Sequence, residues 1–206
     1  MNAQEAQNIK WSENIIIVDG DYIDHVAFDL IVNFERMLNR RIPAADFSQW
    51  AVNIALDGRL KPGNHETQVV LLHDKKNRKL ENFAPADYEK ELNGQAFKDP
   101  QLGEFIINAI ATDDEVAEKD NVLLDLLKTV LSHEEVKRIM LIPNAEDSHL
   151  ISTLRSTLRD ADDELKHITL FAMQPLEGGN FKQQILGYSL LNAMGISSSE
   201  IEQKIK

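Results

Sequence analysis

The run Ile15, Ile16, Ile17, Val18 constrains the fold of this chain more than any other segment. Four consecutive branched apolar residues show no polar alternation, so a strand built from them has no solvent face. Such a strand belongs inside a sheet that is covered on both sides. Apolar residues at helical spacing follow it: Val26, Ala27, Leu30, Ile31, Phe34, Met37 and Leu38. Asp24 is the expected N-cap of that helix. Pro43 ends the segment, and a second helix is expected over 47–56, between Asp46 and Gly58.

The alternation continues. Strands are expected over 67–73, 104–111 and 139–142, and in the run "HITLFAMQP". Helices are expected over 85–94, 122–131 and 148–158. Asp113 or Asp114 is the expected start of the helix that carries 122–131. After the joint "EGGN", residues 181–194 read as helix, and Ser197 with Glu200 forms a capping-box pattern for a last one. The resulting β-α-α-β-α-β-α-β-α-β-α order implies an α/β fold. Its expected form is a three-layer α/β/α domain with a mostly parallel, roughly five-stranded sheet. The expected division is a domain over 1–176 and a C-terminal helical extension over 177–206.

Charge and composition narrow the function. The chain has 206 residues, with 22 basic against 34 acidic side chains and a net charge of −12. That balance repels nucleic acid and anionic membranes at long range. An RNA partner would need a local basic patch, and "RMLNRR" and "KKNRK" are the two candidates. A run of charge is otherwise a solvated surface. There is no cysteine, so thiolate chemistry and disulfides are excluded. No apolar run approaches the roughly 20 residues of a membrane span, and the polar start lacks a signal-peptide core. A cytoplasmic protein is expected, with no membrane partner and with self-association through the C-terminal helices. The patterns GxGxxG, GxxxxGK[ST] and GxSxG are absent, which argues against a dinucleotide enzyme, a P-loop ATPase and an esterase. The six histidines are scattered, and Trp11 and Trp50 read as packing anchors.

In a parallel sheet the functional crevice lies beyond the carboxyl ends of the strands. Acids collect there: Asp19 and Asp21 after the first strand, Asp74 after the second, Asp113 and Asp114 after the third, Glu146 and Asp147 after the fourth. Carboxylates crowded together require a neutralising cation or bound protons. Oxygen ligands suit Mg²⁺ or Mn²⁺, which would activate water and stabilise a phosphoryl transition state. The plainer reading gives Asp24, Asp46 and one of Asp113 and Asp114 to helix caps. Asp19 stands apart because Gly20 beside it permits close backbone approach.

"IIIVDGDYID", "EKDNVLLDLL" and "IMLIPNAEDSHLISTL" together resemble the NYN branch of the PIN-like nuclease fold. The resemblance covers strand order from about residue 14 to 175. It implies a Mg²⁺- or Mn²⁺-dependent ribonuclease, with Asp19, Asp120, Asp125 and Asp147 as catalytic residues. The implied metal shell draws on Asp19, Asp21, Asp125, Glu146 and Asp147. Pro143 and Asn144 stand where the family has Ser-Gly, and Ala145 shifts the spacing, so a catalytically silent interaction module on the same fold is the alternative. The chain is also similar to a group of uncharacterised proteins from gut anaerobic bacteria. "VDGDYID" resembles, less closely, the first motif of haloacid-dehalogenase-type phosphatases, which would make Asp19 a nucleophile and Asp21 its acid/base. That family ends its second strand in Ser or Thr and places a Lys before a late acidic pair; His73 and Asp74 stand at the first position.

Overall fold

The computed structural model describes residues 10–113, 116–161 and 164–205. The branched run forms β1 (Asn14–Asp19), every residue of which is buried. Its side chains alternate between two cores. Ile15 and Ile17 point into one, Ile16 and Val18 into the other. Burial of such a side chain contributes about 1.5–3 kcal/mol, so β1 anchors both layers.

The remaining elements follow in chain order as α1 (Gly20–Leu38), β2 (Ala45–Asp46), α2 (Phe47–Asp57), β3 (His65–Asp74) and β4 (Phe83–Ala84). A π-helical turn (Tyr88–Leu92) precedes β5 (Ala96–Asp99) and β6 (Gly103–Thr112). Then come α3 (Val116–Ser132), β7 (Arg138–Ile142), α4 (Ser148–Thr157), β8 (His167–Ala172), β9 (Lys182–Ile185), α5 (Leu186–Ala193) and α6 (Ser198–Ile205). Seven strands form the main sheet in the order β5-β6-β3-β1-β7-β8-β9, and β2 pairs with β4 in a small separate one. All neighbours in the main sheet are parallel except β5 and β6. Helices α1, α2 and α5 cover one face; α3 and α4 cover the other. The α/β class is as the alternation implied, with β1 at the centre.

The sheet has seven strands rather than about five. Both additions are edge strands with weak local signals. β5 is four residues long, and it reaches β6 through a turn in which Asp99 accepts from the Gln101 and Leu102 amides. Gly103 sits at φ 95°, a conformation that favours glycine, and its missing Cβ lets the His65 backbone approach. β9 has the sequence Lys-Gln-Gln-Ile, and pairing with β8 overrides its poor strand propensity. The helix expected over 181–194 therefore begins only at Leu186.

The segment after residue 176 belongs to the same body. β9 extends the main sheet, and Leu186, Leu190, Met194 and Ile196 lie in the core that holds Ile16 and Val18. Arg40 at the end of α1 binds Glu200 of α6 through Nε at 2.6 Å and Nη2 at 2.9 Å. Ser197 Oγ accepts from the Glu200 amide as the capping pattern implied, while the Glu200 carboxylate goes to Arg40.

One cap and one helix differ from expectation. α1 starts directly after β1, so Asp19 rather than Asp24 is its N-cap, accepting from the Tyr22 amide at 3.0 Å. Asp24 instead holds the loop after β3 by accepting from the Asn82 amide at 2.8 Å. The helix expected over 85–94 reduces to the π-helical turn, capped by Asp87. Asp46 caps α2 as expected. Asp113 precedes α3, and Asp114 lies outside the described residues. Among the described residues, no helix is long and apolar enough to cross a membrane.

Candidate functional site

The register of the central strands puts Asp19 of β1 beside Leu72 of β3, so β3 runs on to deliver His73 and Asp74 just past it. Asp21 comes from the first turn of α1. These three carboxylates meet at the carboxyl edge of the sheet, as the sequence suggested for Asp19 and Asp21. The cation seated among them is Lys119, the fourth residue of α3. Its ammonium nitrogen lies 3.1 Å from Asp19 Oδ1, 2.7 Å from Asp21 Oδ2 and 3.4 Å from Asp74 Oδ1. Lys119 is 6% exposed and Asp19 is 2% exposed, so the pairing is sheltered from water.

Further polar groups fix this arrangement. Asp21 Oδ2 also accepts from the Asp74 amide at 2.8 Å, and its Oδ1 accepts from Asn77 Nδ2 at 2.6 Å. Asp74 Oδ2 is 3.8 Å from Lys76 Nζ. Tyr88 stacks on His73, with ring centroids 3.8 Å apart and planes 5° from parallel. The tyrosine lies so close to β1 that a Cβ at Gly20 would sit 2.5 Å from its hydroxyl oxygen. Gly20 is thus required by close approach rather than by its φ angle. His73 Nδ1 is 3.0 Å from the Asp74 carbonyl oxygen and donates to it.

The titration of the cluster follows from its burial and its ammonium. Burial raises the Asp19 carboxyl above its ordinary value, and Lys119 offsets this only in part. Burial also pushes Asp21 up, but hydrogen bonds from Lys119 and Asn77 outweigh it and hold the group low. For Lys119, burial acts downward while the Asp19 and Asp21 charges act upward and prevail, so the ammonium stays charged. Burial, with Glu146 and Asp19 adding to it, pushes the Tyr22 phenol up to about 12.

The other acids singled out in the sequence do not join this cluster as a shell. Asp120 is half-buried next to Lys119 and is pushed up to about 6, by burial first and then by the charges of Asp147 and Asp19. Asp147 is the N-cap of α4, with Oδ1 accepting from the His149 and Leu150 amides at 2.8 and 3.0 Å. Glu146 is exposed. Asp125 is 78% exposed and 3.5 Å from Lys128, because five residues along a helix turn it to a different face from Asp120.

A Mg²⁺ or Mn²⁺ ion does not fit these donors as they stand. Mg²⁺ takes oxygen ligands at about 2.0–2.1 Å in octahedral geometry. Here the ammonium nitrogen occupies the point toward which Asp19, Asp21 and Asp74 converge, and two cations cannot share it. Among the described residues, no group of three or more His, Asp or Glu side chains is arranged to hold a metal ion. Lys119 is the residue the sequence reading missed. A signal for it existed: a lysine in the opening turns of a helix opposes the helix dipole and calls for a local anion.

One family model, a family of unknown function named DUF6621, matches residues 8–201. The chain belongs to that family. No curated protein and no solved structure matches it.

Asp120 yields a pH prediction. Its folded-state value is raised, so the fold binds its proton more tightly than the unfolded chain does. Stability accordingly falls as pH rises from the ordinary value of 3.8 through about 6, and the penalty persists above that. Asp120→Asn is expected to stabilise the chain by about 1–2 kcal/mol at neutral pH, allowing for its partial exposure. The gain should vanish at about pH 3.5, where both states hold the proton. Urea melts of the two proteins at both pH values check this.

Proposed function

We propose that this chain is a non-enzymatic binding module on an α/β fold of PIN/NYN-like strand order, with a lysine ammonium seated in its carboxylate edge. The single observation that carries the reading is the Lys119 ammonium held between Asp19, Asp21 and Asp74. A metal-dependent nuclease needs an ion that lowers the pKa of a bound water and keeps a coordination position open. An ammonium supplies neither. The acids that would complete a nuclease shell are otherwise engaged: Asp147 caps α4, and Asp125 points to solvent.

One feature favours the phosphatase reading as a second possibility. Lys119 lies against Asp19 and Asp21, where that resemblance asks for a lysine, but it does not precede the late acidic pair that the family's lysine precedes. Access opposes it. A carboxylate that attacks phosphorus must be reachable, and Asp19 is closed off by Lys119, by its bond to the Tyr22 amide and by burial.

The test is hydrolysis in Mn²⁺ of a single-stranded RNA oligonucleotide and of p-nitrophenyl phosphate. The module reading expects rates at the uncatalysed level for both. Mn²⁺-dependent cleavage of either substrate that Asp19→Asn abolishes would overturn it.

A further inference from the structure

Beside the carboxylate cluster lies a cleft of about 430 Å³, lined in part by His73, Lys75, Asn77, Arg78, Lys90 and Asn93. The stacked rings of His73 and Tyr88 and the last part of β6, at Ala109 and Ala111, form part of its wall, and Lys119 does not line it. The volume lies within the range of small-molecule sites. In a chain of net charge −12 its lining is unusual: three cations, Lys75, Arg78 and Lys90, face two acids, Asp87 and Glu89.

The state of each group matters more than the count. Lys75 is 4.0 Å from Asp113, a loose pairing between exposed side chains, and Lys90 is 3.9 Å from Asp87. The Arg78 side chain has no hydrogen bond or ion pair among the described residues, although its charge acts on Asp87. An unpaired guanidinium at the mouth of a cleft presents a planar fork of donors that matches a phosphate bidentately. Asn93 accepts from the Ala109 amide through Oδ1 at 3.0 Å, which leaves its NH₂ as a donor at the rim. Asp87 Oδ1 is held by the Glu89 and Lys90 amides, while Glu89 remains available to accept from hydroxyl groups. A wider neighbouring cleft shares Asn77 and Arg78 and adds Lys76 and Lys79, but Asp21, Asp24 and Glu81 match its cations one for one, and Lys76 and Lys79 lie 3.8 and 2.9 Å from Asp74 and Glu81, so it suits an anion less well.

We propose that this cleft binds a small sugar phosphate, with the phosphate on Arg78, Lys75 and the Asn93 amide and the sugar hydroxyls toward Asp87 and Glu89. A nucleoside monophosphate and a free pentose phosphate share that chemistry. The proposal rests on the binding-module reading and names its ligand class. It gives a role to Lys75 and Arg78 of the "KKNRK" run, whose Lys76 and Asn77 face the carboxylate cluster.

The test is calorimetry at low salt on the full chain, with adenosine 5′-monophosphate, ribose 5-phosphate, inorganic phosphate and adenosine as probes. Both phosphate esters are expected to bind, inorganic phosphate more weakly, and adenosine not at all. Tighter binding of the nucleotide than of ribose 5-phosphate would assign the site to nucleotides, and equal binding would assign it to sugar phosphates. Arg78→Gln is expected to weaken both esters by at least about tenfold, since a charge-assisted hydrogen bond is lost. Asn93→Asp keeps the acceptor for Ala109 but adds a negative charge, and is expected to abolish binding without changing the melting temperature. No heat from either ester, or equal affinity in Arg78→Gln, would overturn the proposal. Binding of single-stranded RNA with neither ester bound would also overturn it and assign the cations to a polynucleotide. Phosphorus spectra after the titration should show intact ester. Hydrolysis there would contradict the module reading while leaving the cleft's ligand class standing.

Discussion

Replacing Lys119 with Met is expected to cost about 3–5 kcal/mol, because it removes one partner of a buried ion pair and leaves the others uncompensated. Methionine keeps most of the side-chain length, so packing loss is a minor part. Asp19, Asp21 and Asp74 would then face one another without a cation, and all three are largely buried. The melting temperature should fall on the order of 10 °C for a chain of this size. The loss should be smaller at pH 5 than at pH 8. Without the ammonium, the acids are pushed up and take protons, so stability falls with rising pH over that window. Asp21→Asn combined with Lys119→Met should lose less than the sum of the two single changes, since the second no longer strands a full charge. A loss below about 1 kcal/mol, with no pH dependence, would mean that the ammonium is incidental.

Trp50→Ala carries the second large effect. The indole of α2 is fully buried and packs on Phe47 and Phe83, at centroid distances of 5.6 and 5.8 Å. Removing it opens a cavity under the helix layer that covers the Ile16 and Val18 face, at a cost of about 3–5 kcal/mol. Its Nε1 has no hydrogen-bond partner, so Trp50→Phe forfeits area but strands no polar group. The phenylalanine variant should therefore lose only about 1–2 kcal/mol by urea unfolding. Equal losses for the two variants would contradict the packing described.

How much of this was legible in the residues differs from layer to layer. The doubly buried strand was plain in Ile15–Val18, because an unbroken branched run has only one environment that suits it. Its alternation between two cores, and hence the covering of both sheet faces, followed from the same four residues. β9 was not legible. Lys182, Gln183 and Gln184 carry no strand signal, and only the exposed edge of β8 makes them one. Asp24 as a cap failed for a different reason. Helical spacing of apolar residues begins at Val26, but α1 begins six residues earlier, where Asp19 itself turns the chain.

At the site the acids were legible and their cation was not. Asp19 and Asp21 mark the sheet edge from sequence, since the strand ends there. Lys119 lies 98 residues from Asp21, and nothing local ties the two together. Only the crossing of α3 over the sheet brings the ammonium to the carboxylates. Asp120, one residue further along, was singled out instead, and it titrates near the cluster without binding its center.

The most direct measurement of the central claim is a Mn²⁺ titration by calorimetry at low salt, on the wild type and on Lys119→Ala. If the ammonium stands where a divalent ion would, the wild type should give no binding heat. The alanine variant, with Asp19, Asp21 and Asp74 freed and space opened among them, should bind Mn²⁺ and recover part of its lost melting temperature. Wild-type binding that Asp19→Asn removes and Lys119→Ala leaves unchanged would contradict the account and return the cluster to metal chemistry.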